Sequence, residues 1–594
     1  MILKLLINRV IKKLSPSKEL LFLLISGFIL RIAFINWDSG FHFHPDERML
    51  IMVAGRIRFW SNLNPDFFNY GSLPVYILSA TAQFLDWTIK THLANYDGLL
   101  YVGRVLSTLT DIFVIYFVFR ISDLLFKNKN IALWSSFFYT IAFFPIQNSH
   151  FFIVDTFLNL FATLLVYLLL LYLEKPDLKK LILISIVFAV AATSKVSAII
   201  FLPIVLIVLI LPFNSFKTFF KNSLTTCYFL LATSFFTFIF MPYAFIEYER
   251  FFSDILQQIK MNSDPFIFPY TLQYVGTLPY LYYLKNILLW GLGPMISILA
   301  IVGLVTILAQ VINPKSEVPN KSKILKMKSF LSISYKLPAT SYAILFLLFY
   351  LLYFAVIGRS AVKFMRYMLL MYPFFAILAG YGVYVILNLF QDLIVHIIPN
   401  LDRGSTFLSG FRIKSGMTMI IVFSTLLWTF LFLNIYSTKN TRIQATNWIN
   451  RFIPTGSTLA VEHWDDRVPI FDPGRYKYEE LTLYDIPDDQ KKWSMLNEKL
   501  KRSDYIILAS NRLYTPLQKL WECNEVNKSR CYPITAKYYQ DLFSGKLGFF
   551  KVAEFTSYPR FCLLRDMCYV LRDDSSDESF TVYDHPKIMI FKKL

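Results

Sequence analysis

Two adjacent carboxylates, Asp46 and Glu47, follow Pro45 in the segment FHFHPDERML. A structural interpretation is available, because proline suits the first position of a helix and acidic side chains suit its amino-terminal turn. The location of the segment favours a chemical role instead. It follows the first long apolar run of the chain, at residues 19–36. A carboxylate at a membrane surface is well placed to accept a proton from an attacking hydroxyl group.

A second candidate segment, QNSHFFIVDTFLNLF, contains His150 and Asp155. An ionisable side chain among such apolar neighbours is costly and by default faces a cavity or a partner. The structural alternatives are an aspartate that caps a helix and a histidine that is satisfied at the membrane interface. Together with Glu47, these two residues are also the candidate ligands of a divalent cation, although no tight ligand spacing supports a metal site.

Basic residues give a third signal. Lys195 lies in AATSKVSAII, whereas Arg359, Lys363 and Arg366 lie in GRSAVKFMRYMLLMYPFFAIL. They lie at or near the predicted outer boundary of the membrane, where the positive-inside rule predicts few basic residues. A lipid phosphate would explain their presence, because Arg binds phosphate through paired hydrogen bonds and Lys binds it as a point charge. Side chains that snorkel to the interface are the alternative.

Transmembrane helices must position most of these residues. Of the 594 residues, 56% are hydrophobic and the mean hydropathy is +0.49, whereas soluble domains hold roughly 45–50% apolar residues. Apolar runs of about 20 residues predict about eleven spans, and hence a polytopic α-helical membrane protein. The predicted spans are 19–36, 101–122, 131–149, 152–172, 181–194, 197–212, 223–241, 286–311, 339–357, 368–390 and 417–436.

The distribution of basic residues predicts how these spans are oriented. The net charge is +19, but Lys and Arg fall mainly in short segments between apolar runs, which indicates membrane topology rather than nucleic-acid binding. The pattern predicts a cytoplasmic N-terminus (1–18), a transmembrane domain (19–436) and a C-terminal domain outside the cytosol (437–594). The first run, without a cleavage site, predicts a retained span, and the plasma membrane is the expected location.

Two long loops lie on the predicted outer side. The first, 37–100, contains the apolar segment SLPVYILSATAQFLDWTIK. We interpret it as a helix at the membrane interface, because Pro74 and polar residues interrupt it and because a span there would invert every later loop. The second loop, 242–285, is rich in Phe, Tyr and Pro. It either covers the site or contacts an acceptor, or it forms an aromatic belt at the interface.

From about residue 440 the composition becomes that of a soluble protein. Helical patterns in TRIQATNWINRFI and DDQKKWSMLNEKLKRS alternate with strand patterns in STLAVEH, DYIILAS and SFTVYDHPKIMIFKK. The alternation predicts a small α/β domain. Four of the five cysteines lie here. Outside the cytosol, the close pairs Cys523 with Cys531 and Cys562 with Cys568 are expected to form disulfides, and four reduced thiols are the alternative.

Several segments, in matching order over most of residues 19–390, resemble the C-type (GT-C) glycosyltransferases. These segments are DERMLIMVAGRI, LPVYIL, GRVLSTLTDIFVIYFVFR, VDTFLNLF, the TSK turn and FMRYMLLMYPFFAIL. Within that class, the pattern looks like the protein O-mannosyltransferase and lipid A aminoarabinose transferase relatives, which are phospholipid-carrier-dependent glycosyltransferases. The resemblance implies a GT-C-like transmembrane domain with its catalytic loop at 37–100.

The resemblance also implies roles for individual residues. Asp46 matches the essential acidic residue of the family's first outer loop, taken as the catalytic base, and Glu47 is its acidic neighbour. Asp155 matches the second acidic position of the active site. Lys195 and Arg366 match basic positions near the carrier phosphate.

Two positions depart from the family pattern. Tyr70 begins the sequence YGSLP where relatives often have a Lys-Pro-Pro element. The resemblance implies a phosphate or metal contact at this position, and Tyr70 is the candidate residue for the phosphate. His44 has no counterpart in the pattern. Lys363 is a further cation expected to stabilise the charge of the phosphate leaving group.

The expected function is transfer of a sugar from a polyprenyl-phosphate donor to a hydroxyl of a protein, lipid or glycan acceptor on the extracytoplasmic side. Asp46 would act as base, and configuration at the anomeric carbon would invert in one displacement. The first alternative is a flippase or secondary transporter. Transporters tend to carry charged or broken helices near the membrane midplane, whereas the acidic residues of this chain cluster at one predicted boundary of the membrane. The second is a membrane-anchored binding or assembly protein in which the C-terminal domain does the work.

Overall fold

The computed structural model describes residues 17–210, 216–312, 340–397, 403–523, 530–564 and 567–594. Helices form most of the chain up to residue 452, as the long apolar runs predict. They are Lys18–Ile32, Pro45–Arg56, Leu73–Ile89, Tyr96–Phe126, Lys129–Ile141, Phe143–Ser149, Val154–Glu174, Leu178–Ser194, Leu202–Ile210, Phe216–Phe240, Tyr243–Ile246, Tyr248–Ser263, Leu281–Lys285, Pro294–Ile312, Thr340–Ile357, Met371–Ile397, Arg403–Leu433 and Thr441–Phe452.

Five helices of the described residues are long and apolar enough to cross a membrane. They are Val154–Glu174, Ser223–Phe240, Pro294–Ile312, Met371–Leu389 and Ser415–Phe452, and Val196–Ile210 and Ser341–Ile357 are shorter apolar helices. The chain is therefore helical with several apolar helices, as expected. The total of about eleven spans and their orientation remain predictions.

One predicted span, 131–149, is interrupted in the structure. The helix Lys129–Ile141 ends and a second helix, Phe143–Ser149, begins after Ala142. Proline has no backbone N–H to donate, so Pro145 cannot form the usual bond to the carbonyl of Ile141. The hydroxyl of Thr429 donates to that carbonyl instead, at 2.6 Å. The break directs His150 and the following turn toward the first outer loop, where the sequence places its acidic pair.

The first outer loop contains two helices, Pro45–Arg56 and Leu73–Ile89. The first begins as its sequence predicts, with proline at the first position and acidic residues in the first turn. His44 caps it, because its Nδ1 accepts a hydrogen bond from the backbone N–H of Glu47 at 3.3 Å. This cap fixes the direction in which the Asp46 and Glu47 side chains leave the helix.

The C-terminal part contains the predicted α/β region. The strands are β1 Thr458–Glu462, β2 Lys477–Leu481, β3 Tyr505–Leu508, β4 Phe549–Phe555, β5 Arg560–Leu564, β6 Met567–Val570 and β7 Ile588–Lys593, and the remaining helices are Gln490–Arg502, Tyr514–Lys519, Pro533–Phe543 and Glu578–Thr581. Five strands form a sheet with the order β2-β1-β3-β7-β4, in which β1 pairs in parallel with β2 and β3 while β7 is antiparallel to β3 and β4. Strands β5 and β6 form a separate antiparallel pair.

The structure contains both cysteine pairs as disulfides, Cys523 with Cys531 and Cys562 with Cys568. The second bridge joins residues directly opposite each other in β5 and β6. It therefore holds together a two-stranded sheet that would be only marginally stable by itself.

The prediction of a strand over the whole segment SFTVYDHPKIMIFKK was wrong for its first half. Only Ile588–Lys593 is a strand, and Glu578–Thr581 is a short helix. The reason is packing against helices that precede the C-terminal domain. Phe580 lies among the rings of Phe143, Phe144 and Phe432, with centroids 5.5 to 6.2 Å away. Burial of this aromatic side chain outweighs pairing with the sheet.

Candidate active site

Asp46 and Arg366 form an ion pair, although they lie in distant parts of the sequence. Asp46 Oδ2 is 2.9 Å from Arg366 Nη2, and the Asp46 side chain keeps 22% of its exposure. The Arg366 guanidinium lies over the ring of Phe364, 4.3 Å from its centroid. Arg366 lies in the short 3₁₀ turn Met365–Met368, which precedes the helix Met371–Ile397. The pair therefore joins the first outer loop to the last predicted outer turn of the transmembrane domain.

A second ion pair joins Asp155 and Lys195, with Asp155 Oδ1 2.6 Å from Lys195 Nζ. Asp155 lies in the first turn of the helix Val154–Glu174, and Lys195 follows the end of the helix Leu178–Ser194. Their side chains retain 4% and 13% of their exposure. The N-cap residue of this helix is Ile153, so the Asp155 carboxylate does not cap the helix but pairs with a cation.

Tyr367 connects the two ion pairs. Its ring centroid is 4.4 Å from Lys195 Nζ and 5.6 Å from the guanidinium carbon of Arg366. Both cations are thus attracted to one aromatic ring. The two pairs belong to a single cluster, which we call the charged cluster and define as Asp46, Asp155, Lys195, Arg366 and Tyr367.

Glu47 lies in a different environment from its neighbour Asp46. Its side chain is fully buried, and Arg104 binds it through Nε at 2.9 Å and Nη2 at 2.7 Å. The same guanidinium binds Asp38 at 2.7 and 3.0 Å. The backbone N–H of Phe152 also donates to Glu47 at 2.8 Å. We call Asp38, Glu47 and Arg104 the buried clamp.

The buried clamp holds three elements together. Its residues come from the turn after the first apolar run, from the helix Pro45–Arg56 and from the helix Tyr96–Phe126. Burial raises the pKa of Glu47, while Arg104 opposes that shift. Every oxygen of Glu47 has a partner within the protein. The geometry therefore assigns Glu47 to positioning the helix that carries Asp46.

The two histidines singled out by the sequence are both bound within the protein. The ring of His150 faces the carbonyl oxygens of Ile146 and Ala33, at 2.8 and 2.7 Å. His44 caps the Asp46 helix, and burial lowers the pKa of its ring well below the usual value. The structural alternative for His150 is thus the one the geometry favours.

The candidate cation ligands Glu47, His150 and Asp155 have separate partners. Glu47 binds Arg104, His150 faces backbone carbonyls and Asp155 binds Lys195. Within the part of the chain that the structure describes, no group of three or more His, Cys, Asp or Glu side chains could hold a metal ion. These three residues do not form a common ligand set.

Tyr70 lies close to the charged cluster. Burial raises the pKa of its hydroxyl, and the charges of Asp46, Arg366 and Asp155 also act on it. The next residue, Gly71, packs directly on the turn before Lys195, since a Cβ at Gly71 would lie 1.8 Å from the carbonyl oxygen of Thr193. Only glycine permits this contact. The close approach brings the loop that carries Tyr70 to the Lys195 side of the cluster.

Lys363 is buried, and its ammonium donates to the carbonyl oxygen of Ala361 at 3.0 Å. No ion pair with a carboxylate is found for it among the described residues. Burial lowers the pKa of this ammonium. A buried cation without an anionic partner is energetically costly, and an anionic ligand would offset that cost. Arg359, in the same turn, is exposed by comparison.

The second outer loop and the C-terminal domain border the charged cluster. Asn262, near the end of the helix Tyr248–Ser263, accepts a hydrogen bond from the Tyr367 hydroxyl at 3.2 Å. Tyr270 lies near Asp46 and Arg366, whose charges act on its hydroxyl. From the C-terminal domain, the Tyr583 hydroxyl lies 3.5 Å from Arg366 Nη1. The loop 242–285 thus contributes to the surroundings of the cluster.

Sequence reasoning missed Arg104, Tyr367 and Tyr583. An arginine inside an apolar run is a signal in itself, and Arg104 could have been found by asking which carboxylate pairs with it. Tyr367 adjoins Arg366 but has no distinguishing pattern. Tyr583 had no signal, because its role depends on how the C-terminal chain packs against the transmembrane helices.

The family described as dolichyl-phosphate-mannose-protein mannosyltransferase matches residues 82–243. This region includes Arg104, Asp155 and Lys195, whereas Asp46 and Arg366 lie outside it. A search of curated proteins gives no match.

Several solved structures resemble the chain. The archaeal oligosaccharyltransferase AglB from Archaeoglobus fulgidus, in complex with an inhibitory peptide and a dolichol-phosphate, is 13% identical with a TM-score of 0.48; the match covers 85% of this chain and 71% of that one. ArnT from Cupriavidus metallidurans, bound to undecaprenyl phosphate, is 11% identical with a TM-score of 0.45, over 84% of this chain and 91% of that one. Over residues 82–243, the chain matches the dolichyl-phosphate-mannose-protein mannosyltransferase family, which confirms the resemblance predicted from the sequence motifs.

Proposed function

We propose that this chain is a membrane glycosyltransferase that takes a sugar from a polyprenyl-phosphate donor and transfers it to an acceptor hydroxyl outside the cytosol. The family match over residues 82–243 supports the reaction class. The single observation that carries the proposal is the charged cluster. In it a partly exposed carboxylate pairs with Arg366, and a second cation, Lys195, lies against the same tyrosine ring as Arg366. Both cations are suited to a phosphate.

The donor phosphate would be bound by Arg366 and Lys195. Both cations are paired with carboxylates in the structure, and a phosphate that enters the cluster competes for them. Arg366 supplies a planar pair of donors, and Lys195 a point charge. Lys363 and Tyr70 are the next donors that could reach the phosphate oxygens. Binding at Arg366 would free an oxygen of Asp46 to face the acceptor.

In the chemical step, the acceptor oxygen attacks the anomeric carbon from the face opposite the phosphate. The bond from that carbon to the phosphate oxygen breaks, and its electron pair leaves with polyprenyl phosphate. Asp46 takes the proton of the acceptor hydroxyl. The cations stabilise the charge that develops on the leaving phosphate, so a general acid is not required. The configuration at the anomeric carbon inverts.

The other two acidic residues have supporting roles in this proposal. Asp155 orients Lys195 through its 2.6 Å contact and so sets the position of one phosphate donor. Glu47 holds the Asp46 helix through the buried clamp. Asp46 alone of the three combines partial exposure with a cationic partner.

The test is an assay with membranes that contain the full-length protein and a panel of polyprenyl-phosphate sugars labelled in the sugar. Covalent transfer of label to a protein, lipid or glycan fraction, with release of polyprenyl phosphate, is the expected result. Label that crosses the bilayer but stays on the carrier would indicate a flippase. A panel that gives neither transfer nor translocation would indicate a binding or assembly protein, and either result rejects the proposal.

A further inference from the structure

We infer that Tyr583 is a positioning residue for the phosphate-binding arginine, so that the C-terminal domain forms part of the catalytic unit. The inference rests on the proposed function and goes beyond it, because the motifs and the family match lie entirely in the transmembrane domain. Tyr583 belongs to the segment Asp573–His585, which leaves the α/β region and packs against the transmembrane helices. We call this segment the C-terminal insertion.

Buried charges hold the C-terminal insertion in place. The ring of His585 is bound on both sides, by Asp584 Oδ1 at 2.5 Å and by Asp573 Oδ2 at 2.8 Å. Burial would lower the pKa of His585, but the two carboxylates raise it to about 10. The imidazolium is therefore charged at neutral pH, and it satisfies both aspartates in a buried site.

The same insertion is bonded to the transmembrane helices. Asp584 Oδ2 accepts from Gln147 at 2.9 Å and from the Tyr436 hydroxyl at 2.7 Å. From the opposite side, Arg442, in the helix Thr441–Phe452 of the C-terminal domain, donates to the backbone carbonyl of Val582, directly before Tyr583, at 2.8 Å. With its backbone fixed from both sides, the Tyr583 side chain has little freedom to choose another position.

Tyr583 contacts Arg366 and also the residue that caps the helix carrying Asp46. Its ring lies on His44, 4.0 Å between centroids, and His44 caps the helix that carries Asp46. Its hydroxyl lies 3.5 Å from Arg366 Nη1, while Arg366 Nη2 faces Asp46. The side chain is almost fully buried, with 7% of its surface exposed.

This arrangement restricts the rotation of the Arg366 guanidinium. Phe364 supports one face of it, Asp46 binds one nitrogen and Tyr583 approaches the other. A planar guanidinium gives two parallel bonds to a phosphate only when its plane is correctly oriented. Without the hydroxyl, Nη1 loses a neighbour and the group is less ordered before the donor binds. Tyr583 therefore acts through Arg366 rather than on the substrate.

The experiment compares Tyr583→Phe with Tyr558→Phe in the full-length protein. Tyr558 is the matched control, because its hydroxyl donates to Asp574 at 2.8 Å and has no contact with Arg366 among the described residues. Removal of one hydrogen-bonding hydroxyl beside Arg366 should raise the donor KM by about 2- to 10-fold, with a smaller change in kcat. Tyr558→Phe should leave the donor KM unchanged.

A second measurement separates positioning from a loss of folding. Geranylgeranyl phosphate, a short polyprenyl phosphate, is titrated into the wild type, Tyr583→Phe, Arg366→Gln and the double variant. We expect Tyr583→Phe to weaken binding by about 2- to 10-fold in the wild type and to have almost no effect once Arg366 is Gln. A purely structural tyrosine would weaken both backgrounds equally.

Several outcomes would overturn the inference. An active wild type with an unchanged donor KM in Tyr583→Phe rejects the role of Tyr583 while leaving the proposed function intact. Additive effects in the binding cycle reject action through Arg366. A wild type that neither transfers the sugar nor binds geranylgeranyl phosphate rejects the proposed function, and the inference with it.

Discussion

The charged cluster and the buried clamp contain the same kinds of side chain but differ in what remains available to a ligand. In the clamp, Arg104 binds Glu47 and Asp38 with all three side chains fully buried. In the cluster, Arg366 and Asp46 retain 10% and 22% of their exposure. Adjacent residues, Asp46 and Glu47, thus have opposite environments. An acidic pair in a sequence can therefore divide into one side chain that remains partly exposed and one that is fully bound within the protein.

The largest expected effect is on the rate of sugar transfer, when Asp46 of the charged cluster is replaced. Asp46→Asn keeps the size of the side chain but removes the base, and transfer should fall by about 10²- to 10⁴-fold. Because Asp46 is partly exposed, the thermal unfolding temperature should change little. The measurement is initial-rate transfer from the labelled donor. Asp97→Asn is the control, since Asp97 is exposed in the same outer loop. Undiminished transfer by Asp46→Asn would reject Asp46 as the base.

On the clamp side, the expected effect is on stability. Arg104→Gln leaves Glu47 and Asp38 buried without their cation, and breaking a buried ion pair in this way costs about 3–5 kcal/mol. The unfolding temperature of the detergent-solubilised protein should fall strongly. Arg366→Gln is the matched change in the charged cluster and should lower it much less. Equal unfolding temperatures for the two variants would show that the two regions do not differ as described.

An intermediate effect is expected for the phosphate-binding cations. Each of Lys195→Gln and Arg366→Gln removes charge-assisted hydrogen bonds, and the donor KM should rise by about 10- to 100-fold. Lys195→Arg keeps the charge and should restore part of the affinity. The check is the donor KM for each variant at fixed ionic strength. If neither Gln variant changes the donor KM, the cluster does not bind the phosphate.

The smallest effect is a pH dependence from Lys363. Burial lowers the pKa of its ammonium, so the protonated form that pairs with phosphate is lost as the pH rises through that lowered value. The free energy of unfolding of the free protein changes in the opposite direction. It increases as the pH rises from that lowered value to the ordinary pKa of 10.5, because the unfolded chain binds more protons in this range. Titration of geranylgeranyl phosphate binding against pH should show a fall that Lys363→Gln lacks. Identical profiles would remove Lys363 from the phosphate site.

Much of the transmembrane fold follows from the sequence. Long apolar runs predict helices because the bilayer leaves few other ways to satisfy the backbone, and the helices Val154–Glu174 and Pro294–Ile312 lie where those runs predict. The break at Ala142 was not predicted, although Pro145 explains why the helical hydrogen bond to the carbonyl of Ile141 is missing. The sequence does not show the contact that replaces this bond, in which the hydroxyl of Thr429 donates to the same carbonyl.

The candidate site could be predicted only in part. Residue type and local position identified Asp46, Asp155, Lys195 and Arg366, because charges beside apolar segments are rare and costly. Pairing was beyond the sequence, since Asp46 and Arg366 meet only through the packing of distant helices. Tyr583 illustrates the limit, because a loop residue acquires its role from the surface against which it packs.

The central claim is that one phosphate site unites both ion pairs of the charged cluster. The most direct measurement is an experimental structure of the full-length protein with a bound polyprenyl phosphate. We expect the phosphate to lie within hydrogen-bond distance of both Arg366 and Lys195, with Asp46 facing the open side. A phosphate bound elsewhere, for example beside Lys18 at the groove lined by Phe22 and Trp134, would contradict it.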